Sequence, residues 1–360
     1  MSVDASGAPT DGPVLITGGA GFIGSNLADR LASGGREVIV YDSLARPGVQ
    51  ANLDWLQAVH GRRITPVRAD VRDRETLARA VHEASAVFHF AAQVAVTTSL
   101  SDPADDFGVN LEGTFRLLEA IRSRPEPVPV IFASTNKVYG DLADLELEVR
   151  GDGYVPVDAT YRNCGVDERR PLDFHTPYGC SKGAADQYVL DWSRSFGVPS
   201  AVLRMSCVYG RRQMGTEDQG WVAHFARQAL RGEAITLYGD GRQVRDVLDV
   251  GDAVEAYVNA WRRIDHVKGR AFNLGGGPEN AASLRQVIGQ IGVLLGREPE
   301  LRTDAWRTGD QRWYVTDPRR IRSELKLSAF KPWREGVADL LAWLADEVEP
   351  ARPTLEAAEA

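Results

Sequence analysis

Long apolar runs are missing from this chain. No stretch approaches the roughly 18 consecutive apolar residues that a membrane-spanning helix needs, so no membrane-embedded function is expected. Cysteine is scarce as well. The three present, Cys164, Cys180 and Cys207, have neither pairing nor metal-ligand spacing, which argues against a disulfide framework or a bound metal and favours a reducing cytoplasm. Positive charge is also in deficit: 42 Lys and Arg stand against 50 Asp and Glu, a net charge of −8. That balance disfavours nucleic acid as a general partner. The opening MSVDASGAPTDG lacks the basic and apolar regions of a signal peptide. What remains is an ordinary globular composition, 43% hydrophobic and 26% charged over 360 residues, enough for one extended α/β domain or two domains in contact. No internal repeat is visible, and residues 1–12 and 349–360 are expected to be disordered.

The organising stretch is PVLITGGAGFIGSNLADRLASGGREVIVYD, residues 13–42. An apolar run at Val14 to Thr17 predicts a buried parallel strand. Gly18, Gly21 and Gly24 follow at fixed spacing around Phe22 and Ile23, and a helix through Leu27 and Leu31 closes at Gly34-Gly35. A second strand ends on Asp42. Taken alone, a glycine triplet is compatible with an ordinary turn. Here strand, turn, helix, strand and terminal acid coincide, which is the pattern of dinucleotide binding. The first glycine permits the turn, the second lets backbone approach a pyrophosphate, and the third lets helix pack close to strand. The helix start supplies N–H groups and a positive dipole end for the phosphates. Asp42 would accept hydrogen bonds from an adenosine ribose and repel a 2′-phosphate, which favours NAD over NADP. Arg46 is the one nearby cation that tempers this preference.

Further strands are predicted at 64–67, 86–90, 128–133 and 200–204, with helices between them at 50–60, 72–84 and 102–123. This alternation means a doubly wound parallel sheet with right-handed crossovers. Asp70 and Val71 follow the third strand, where they would flank an adenine ring. Ala91, Ala92 and Gln93 follow the fourth, small enough to let a cofactor lie close, although plain helix–strand packing also accounts for them. Asn110 interrupts the apolar face of the long helix and is expected at the cofactor, and Ser134-Thr135 ends the fifth strand, where ligands bind in open parallel sheets. Residues 141–176 break the rhythm, with scattered Gly and Pro and no sustained periodicity. They read as an irregular insertion over the active site. The NAD-binding domain is thus expected at 13–204 and a smaller, mixed substrate-binding part at 205–348, closed by a helix at 336–347.

Tyr178 and Lys182 are four apart and share one helix face. An ammonium beside a phenol favours phenolate, and Thr135 could bond the same substrate oxygen. The group would move a proton off a carbinol while hydride leaves its carbon. By itself Tyr-x-x-x-Lys is also a common surface pair; its place after the dinucleotide pattern gives it meaning.

Four ordered motifs, GGAGFIG, AAQ, STNKVYG and YGCSK, make the chain resemble the extended short-chain dehydrogenase/reductase family over roughly residues 13–348. The resemblance implies a Rossmann α/β fold, tightly held NAD, and a nucleotide-sugar substrate. It implies Thr135, Tyr178 and Lys182 as the catalytic group, with Lys182 also on the nicotinamide ribose. Arg245 and Arg307 match positions that clamp a substrate diphosphate, a task suited to the guanidinium fork, although either could be a solvated charge. Asn136 and Lys137 stand where the family's 4,6-dehydratases carry an acid pair, which argues against water elimination. The whole constellation is most similar to family members that invert C-2 of a CDP-hexose by transient oxidation. A UDP-sugar 4-epimerase, a net NAD-dependent sugar dehydrogenase and a catalytically silent dinucleotide binder are the alternatives. His175 would contact the sugar, relay a proton, or be merely structural. The family's helix pairing implies a homodimer through residues 102–123 and 177–196, with Leu117, Ile121 and Tyr188 as contacts.

Overall fold

The apolar runs form the strands expected of them. The computed structural model describes residues 12–307 and 309–348, so the expectations for 1–11 and 349–360 lie outside the described residues. Strands β1 (Val14–Thr17), β2 (Val38–Asp42), β3 (Ile64–Arg68), β4 (Ala86–His89) and β5 (Val130–Thr135) join Ser200–Met205 and Arg270–Leu274 in one seven-stranded parallel sheet. Its order is Arg270–Leu274, Ser200–Met205, β5, β4, β1, β2, β3. The chain winds outward from β1 to β3, then crosses to β4 and winds the other way. That reversal opens a crevice at the carboxyl ends of β1 and β4, where Thr17 lies opposite both Tyr41 and His89.

Helices cover both faces of the sheet, so its inner strands are buried on both sides, while the edge strand β3 leaves Thr65, Pro66 and Arg68 exposed. Val14 and Ile16 enter one core with Phe88 and Trp261; Leu15 enters the other with Val87, Leu117, Ile121 and Trp192. Leu117 and Ile121 are completely buried there, each contributing about 1.5–3 kcal/mol to the sheet's cover. They are therefore not the exposed contacts expected of them. On the same two helices Tyr188 and Phe115 are each 41% exposed, their rings 6.0 Å apart.

Three other expectations change. The single helix at 102–123 is three pieces: Pro103–Phe107, a π-helical turn Gly108–Glu112, and Gly113–Arg122. Asn110 lies in the π turn, whose extra residue swings its side chain out of helical register. Residues 141–176 are less irregular than their composition suggests. They hold an antiparallel hairpin, Leu147–Arg150 with Gly153–Pro156, and a short helix Ala159–Cys164 capped by Asp158. Strands of only four residues, LEVR and GYVP, show no period long enough to read. Finally, Arg270–Leu274 returns from the C-terminal part to the large sheet beside Ser200–Met205, carrying helix Val250–Arg262 onto its face. The rest of that part builds a small sheet around Val244–Asp249 and a parallel pair, Ile235–Tyr238 with Leu301–Asp304. No helix of the described residues is long and apolar enough to cross a membrane.

Candidate active site

Two cavities meet at the carboxyl edge of the sheet. The larger, about 660 Å³, runs over the ends of β1, β2 and β4. Gly18, Gly21, Phe22, Ile23 and Gly24 form its floor. Gly18 has φ +69°, and a Cβ there would stand 2.7 Å from the Ala91 nitrogen. At Gly24 a Cβ would stand 2.2 Å from the Gly18 carbonyl oxygen, so only glycine lets helix α1 (Phe22–Ser33) meet the turn. Gly19 is equally confined, 2.8 Å from the Ile16 carbonyl, a constraint the spacing of the other three does not suggest. Gly21 caps α1 without a side chain, leaving the first-turn N–H groups facing the cavity for an anion. The glycine floor and the helix start fit a dinucleotide diphosphate.

Asp42 lies in the wall of this cavity, its carboxylate already accepting from Ala20 N (3.1 Å) and Leu44 N (2.8 Å). Burial raises its pKa, with those N–H groups opposing. Arg46 does not turn back toward it. The guanidinium reaches across to Gln219 Oε1 and the Met214 carbonyl, so the cation that would have favoured NADP is committed elsewhere. Asp70 and Val71 also line the cavity; the Asp70 carboxylate is held below its usual range by Arg72, 2.7 Å away. Ala91, Ala92 and Gln93 complete the wall.

Asn110, expected at the cofactor, is fully buried and acts from behind. Its amide nitrogen donates to the Gln93 carbonyl (3.0 Å), Asp106 (3.0 Å) and Ser181 (3.1 Å), and its oxygen accepts from Gln93 N (2.9 Å). It thereby ties the end of β4 to the Tyr178 helix.

Tyr178 and Lys182 project from one face of helix Thr176–Phe196 into the junction, Tyr178 lining both cavities. Helical spacing predicts that the lysine draws the phenol's pKa down; the side chains alone give a different balance. Burial pushes Tyr178 up to about 12, and the hydrogen bond with Thr135 opposes it. Burial also pushes the Lys182 ammonium down to about 7, against the pull of Asp186 and Asp106. Lys182 Nζ donates to the Ala133 carbonyl at 2.6 Å and lies 4.3 Å from the centre of the Phe132 ring. Beneath it, Arg204 grips Asp186 through two 2.9 Å bonds, and Ser134 donates to the same carboxylate at 2.8 Å. This buried brace, invisible in the sequence, fixes β5 against helix Thr176–Phe196.

The smaller cavity, about 340 Å³, holds Thr135, Asn136, Lys137, Arg245 and Arg307. Asn136 donates to Gln311 (3.2 Å), and Lys137 Nζ to the Gly309 carbonyl (3.0 Å). Burial, helped by Arg245, pushes Lys137 down to about 8. Arg245 is buried and paired with Asp310 at 2.7 Å. Arg307 lies 3.6 Å over the Tyr238 ring, paired with Asp218 at 3.3 Å. Both arginines singled out in the sequence thus reach one cavity. His175 does not. It precedes helix Thr176–Phe196 as its N-cap residue and turns outward, 3.1 Å from Asp173 and 44% exposed. Gln213 and Gln219 line both cavities, and no motif assigns either a role; the unusual run Asp218-Gln219-Gly220-Trp221 is a signal for Gln219, and none points to Gln213.

Residues 14–275 match the model of the NAD dependent epimerase/dehydratase family. CDP-paratose 2-epimerase of Salmonella typhi is 39% identical over 337 residues, 92% of this chain and 98% of that protein. Among solved structures, UDP-glucose 4-epimerase of Thermotoga maritima with UDP-glucose superposes with a TM-score of 0.80 at 29% identity, covering 94% of this chain and all of that one. The Thermus thermophilus UDP-glucose 4-epimerase complex with NAD gives a TM-score of 0.78 at 32% identity, covering 92% and 98%.

Proposed function

The chain belongs to the NAD dependent epimerase/dehydratase family and is an NAD-dependent nucleotide-sugar enzyme; from that premise we propose that it inverts C-2 of a CDP-hexose of the paratose/tyvelose type. One observation carries the reading: Thr135, Tyr178 and Lys182 converge where the dinucleotide cavity opens into the smaller one, with an amide and a lysine after Thr135. The identity to the Salmonella enzyme supplies the sugar and base.

Bound NAD would supply the hydride acceptor and donor for the inverted carbon. Gly18, Gly21 and Gly24 would hold its diphosphate, Asp42 its adenosine ribose, and Lys182 its nicotinamide ribose. Tyr178 takes the proton of the C-2 hydroxyl and gives it back after the keto sugar has turned its other face. Thr135 stabilises the phenolate and bonds the reacting oxygen. Arg245 and Arg307 exchange their present acid partners for the substrate diphosphate. Asn136 and Lys137 offer no carboxylate pair for deprotonation beside a carbonyl, so the hydrogen of the inverted carbon would leave and return as hydride without exchanging with water.

We also read the protein as a homodimer through the Phe115–Tyr188 face, and as cytoplasmic, in keeping with three free cysteines. A UDP-sugar 4-epimerase is the second reading, favoured by the likeness to the Thermotoga structure. Product analysis by NMR after incubation with CDP-, UDP- and GDP-sugars separates them. Turnover in D₂O should give unlabelled product, and substrate deuterated at C-2 should keep its label. Solvent deuterium at the inverted carbon refutes the mechanism; inversion at C-4 with the hydrogen retained establishes the second reading in place of the first.

A further inference from the structure

Residues 211–220 lie outside the large sheet yet touch both cavities, through Gln213, Asp218 and Gln219. Two left-handed residues, Arg212 (φ 67°) and Gly220 (φ 76°), bracket the segment. Its root is fixed. Asn26 and Asn52 donate to the carbonyls of Arg211 and Arg212 at 3.0 and 3.3 Å, and the Arg212 guanidinium lies 4.0 Å over the Trp55 ring. Its middle is a turn in which Thr216 and Gln219 bond each other at 2.8 and 3.2 Å.

Arginines hold that turn from two sides. Arg46, four residues beyond β2, donates to Gln219 Oε1 and, at 3.1 Å, to the Met214 carbonyl. Gly48 beside it approaches so closely that a Cβ would lie 3.1 Å from the Met214 sulfur. Opposite, Arg307 donates to the Glu217 carbonyl at 2.6 Å and pairs with Asp218 at 3.3 Å. The first latch lies on the larger cavity and the second on the smaller one.

The two latches meet different ligands. A diphosphate arriving at Arg307 competes with Asp218 for one guanidinium and repels that carboxylate. Arg46 faces no such competitor, because Asp42 keeps a 2′-phosphate out of its neighbourhood. We propose that residues 211–220 form a strap over both ligands, that substrate entry releases its Arg307 end, and that Arg46 is the positioning residue which keeps the strap over NAD while substrate and product exchange. The proposal rests on the reading of Arg307 as a diphosphate ligand. It accounts for how one cleft can hold a resident cofactor while exchanging a second nucleotide at every turnover.

The test follows loss of NAD from purified holoenzyme over time, alone and with CDP or UDP as the probe diphosphate. The wild-type chain should keep its NAD in all three conditions. Arg46→Ala should lose it about tenfold faster or more, as for removal of charged hydrogen bonds, and faster still with the probe. Arg46→Lys should fall between. Asp218→Asn, which loosens the other latch, should leave retention intact alone and add to the loss when combined with Arg46→Ala. Wild-type retention in Arg46→Ala overturns the proposal, and so does a loss that neither probe changes. If calorimetry shows that neither nucleotide binds, the diphosphate reading of Arg307 falls and the proposal with it. An incorrect choice of sugar or carbon shows instead in the product analysis and leaves the NAD-loss result readable.

Discussion

Thr135→Val tests the catalytic group most directly, because the Thr135 hydroxyl is the side-chain group that opposes burial at Tyr178. A phenol titrating at about 12 is ionised in about one molecule in ten thousand at pH 8. The hydroxyl's bond to the developing phenolate is worth about 1.5–3 kcal/mol, as for hydrogen bonds to charged groups, or about one to two pH units at 1.36 kcal/mol each. Activity that needs the deprotonated phenol rises with pH, and loss of a bond that lowers its pKa moves that rise upward. Thr135→Val should therefore shift the rising limb of kcat upward by about one to two pH units and lower turnover at pH 8 by about ten- to 150-fold. Thr135→Ser, which keeps the hydroxyl, should keep the profile. The same oxygen caps the turn at Asn136–Tyr139 by accepting from Lys137 N at 3.2 Å, so the valine variant should also lose about 1 kcal/mol of stability. Turnover across pH, followed by NMR well below the melting temperature, separates the two effects. A uniformly reduced rate with the limb in place would show that Thr135 does not lower the phenol's pKa, and the reasoning would fail.

Asp42→Ala should weaken NAD and narrow its advantage over NADP, measured by titrating cofactor-stripped protein with each; a wild-type chain that binds NADP as tightly overturns the ribose assignment. Gly24→Ala places a Cβ 2.2 Å from the Gly18 carbonyl, so it should purify without NAD and lose about 1–3 kcal/mol of stability, read by absorbance and by denaturant melts. Phe115→Glu with Tyr188→Glu puts charge on the exposed aromatic face and should give a monomer by light scattering; a dimer in both proteins places the interface elsewhere. Tyr178→Phe should abolish turnover yet still hold NAD, since the phenol's task is the proton; loss of both contradicts the separation.

Much of this protein follows from its sequence. The four-residue run before Gly18 becomes β1 with the bounds its pattern predicts, because a strand buried on both faces must be apolar throughout. The glycine spacing and Asp42 foretell the floor and wall of the larger cavity, since backbone clearance and charge are local properties that survive without knowledge of the rest of the chain. Tyr178 and Lys182 share a face because helical periodicity requires it.

What depends on long-range packing was closed to such reading. The sequence offers His175 and Asn110 as polar residues near the right motifs; only the turn before the catalytic helix and the π turn decide that one faces solvent and the other lies buried behind the site. Leu117 and Ile121 carry the apolar character of an interface, but which side of a helix meets the sheet is settled by the strands beneath it. The pKa balance at Tyr178 is likewise tertiary: burial, which no local pattern reports, raises the phenol, and the group that opposes it is Thr135 on β5. Arg46 and Gln219 lie 173 positions apart and touch. Their contact exists because the sheet brings the loop after β2 beneath the strap from the C-terminal part, a proximity set by topology and not by any local preference.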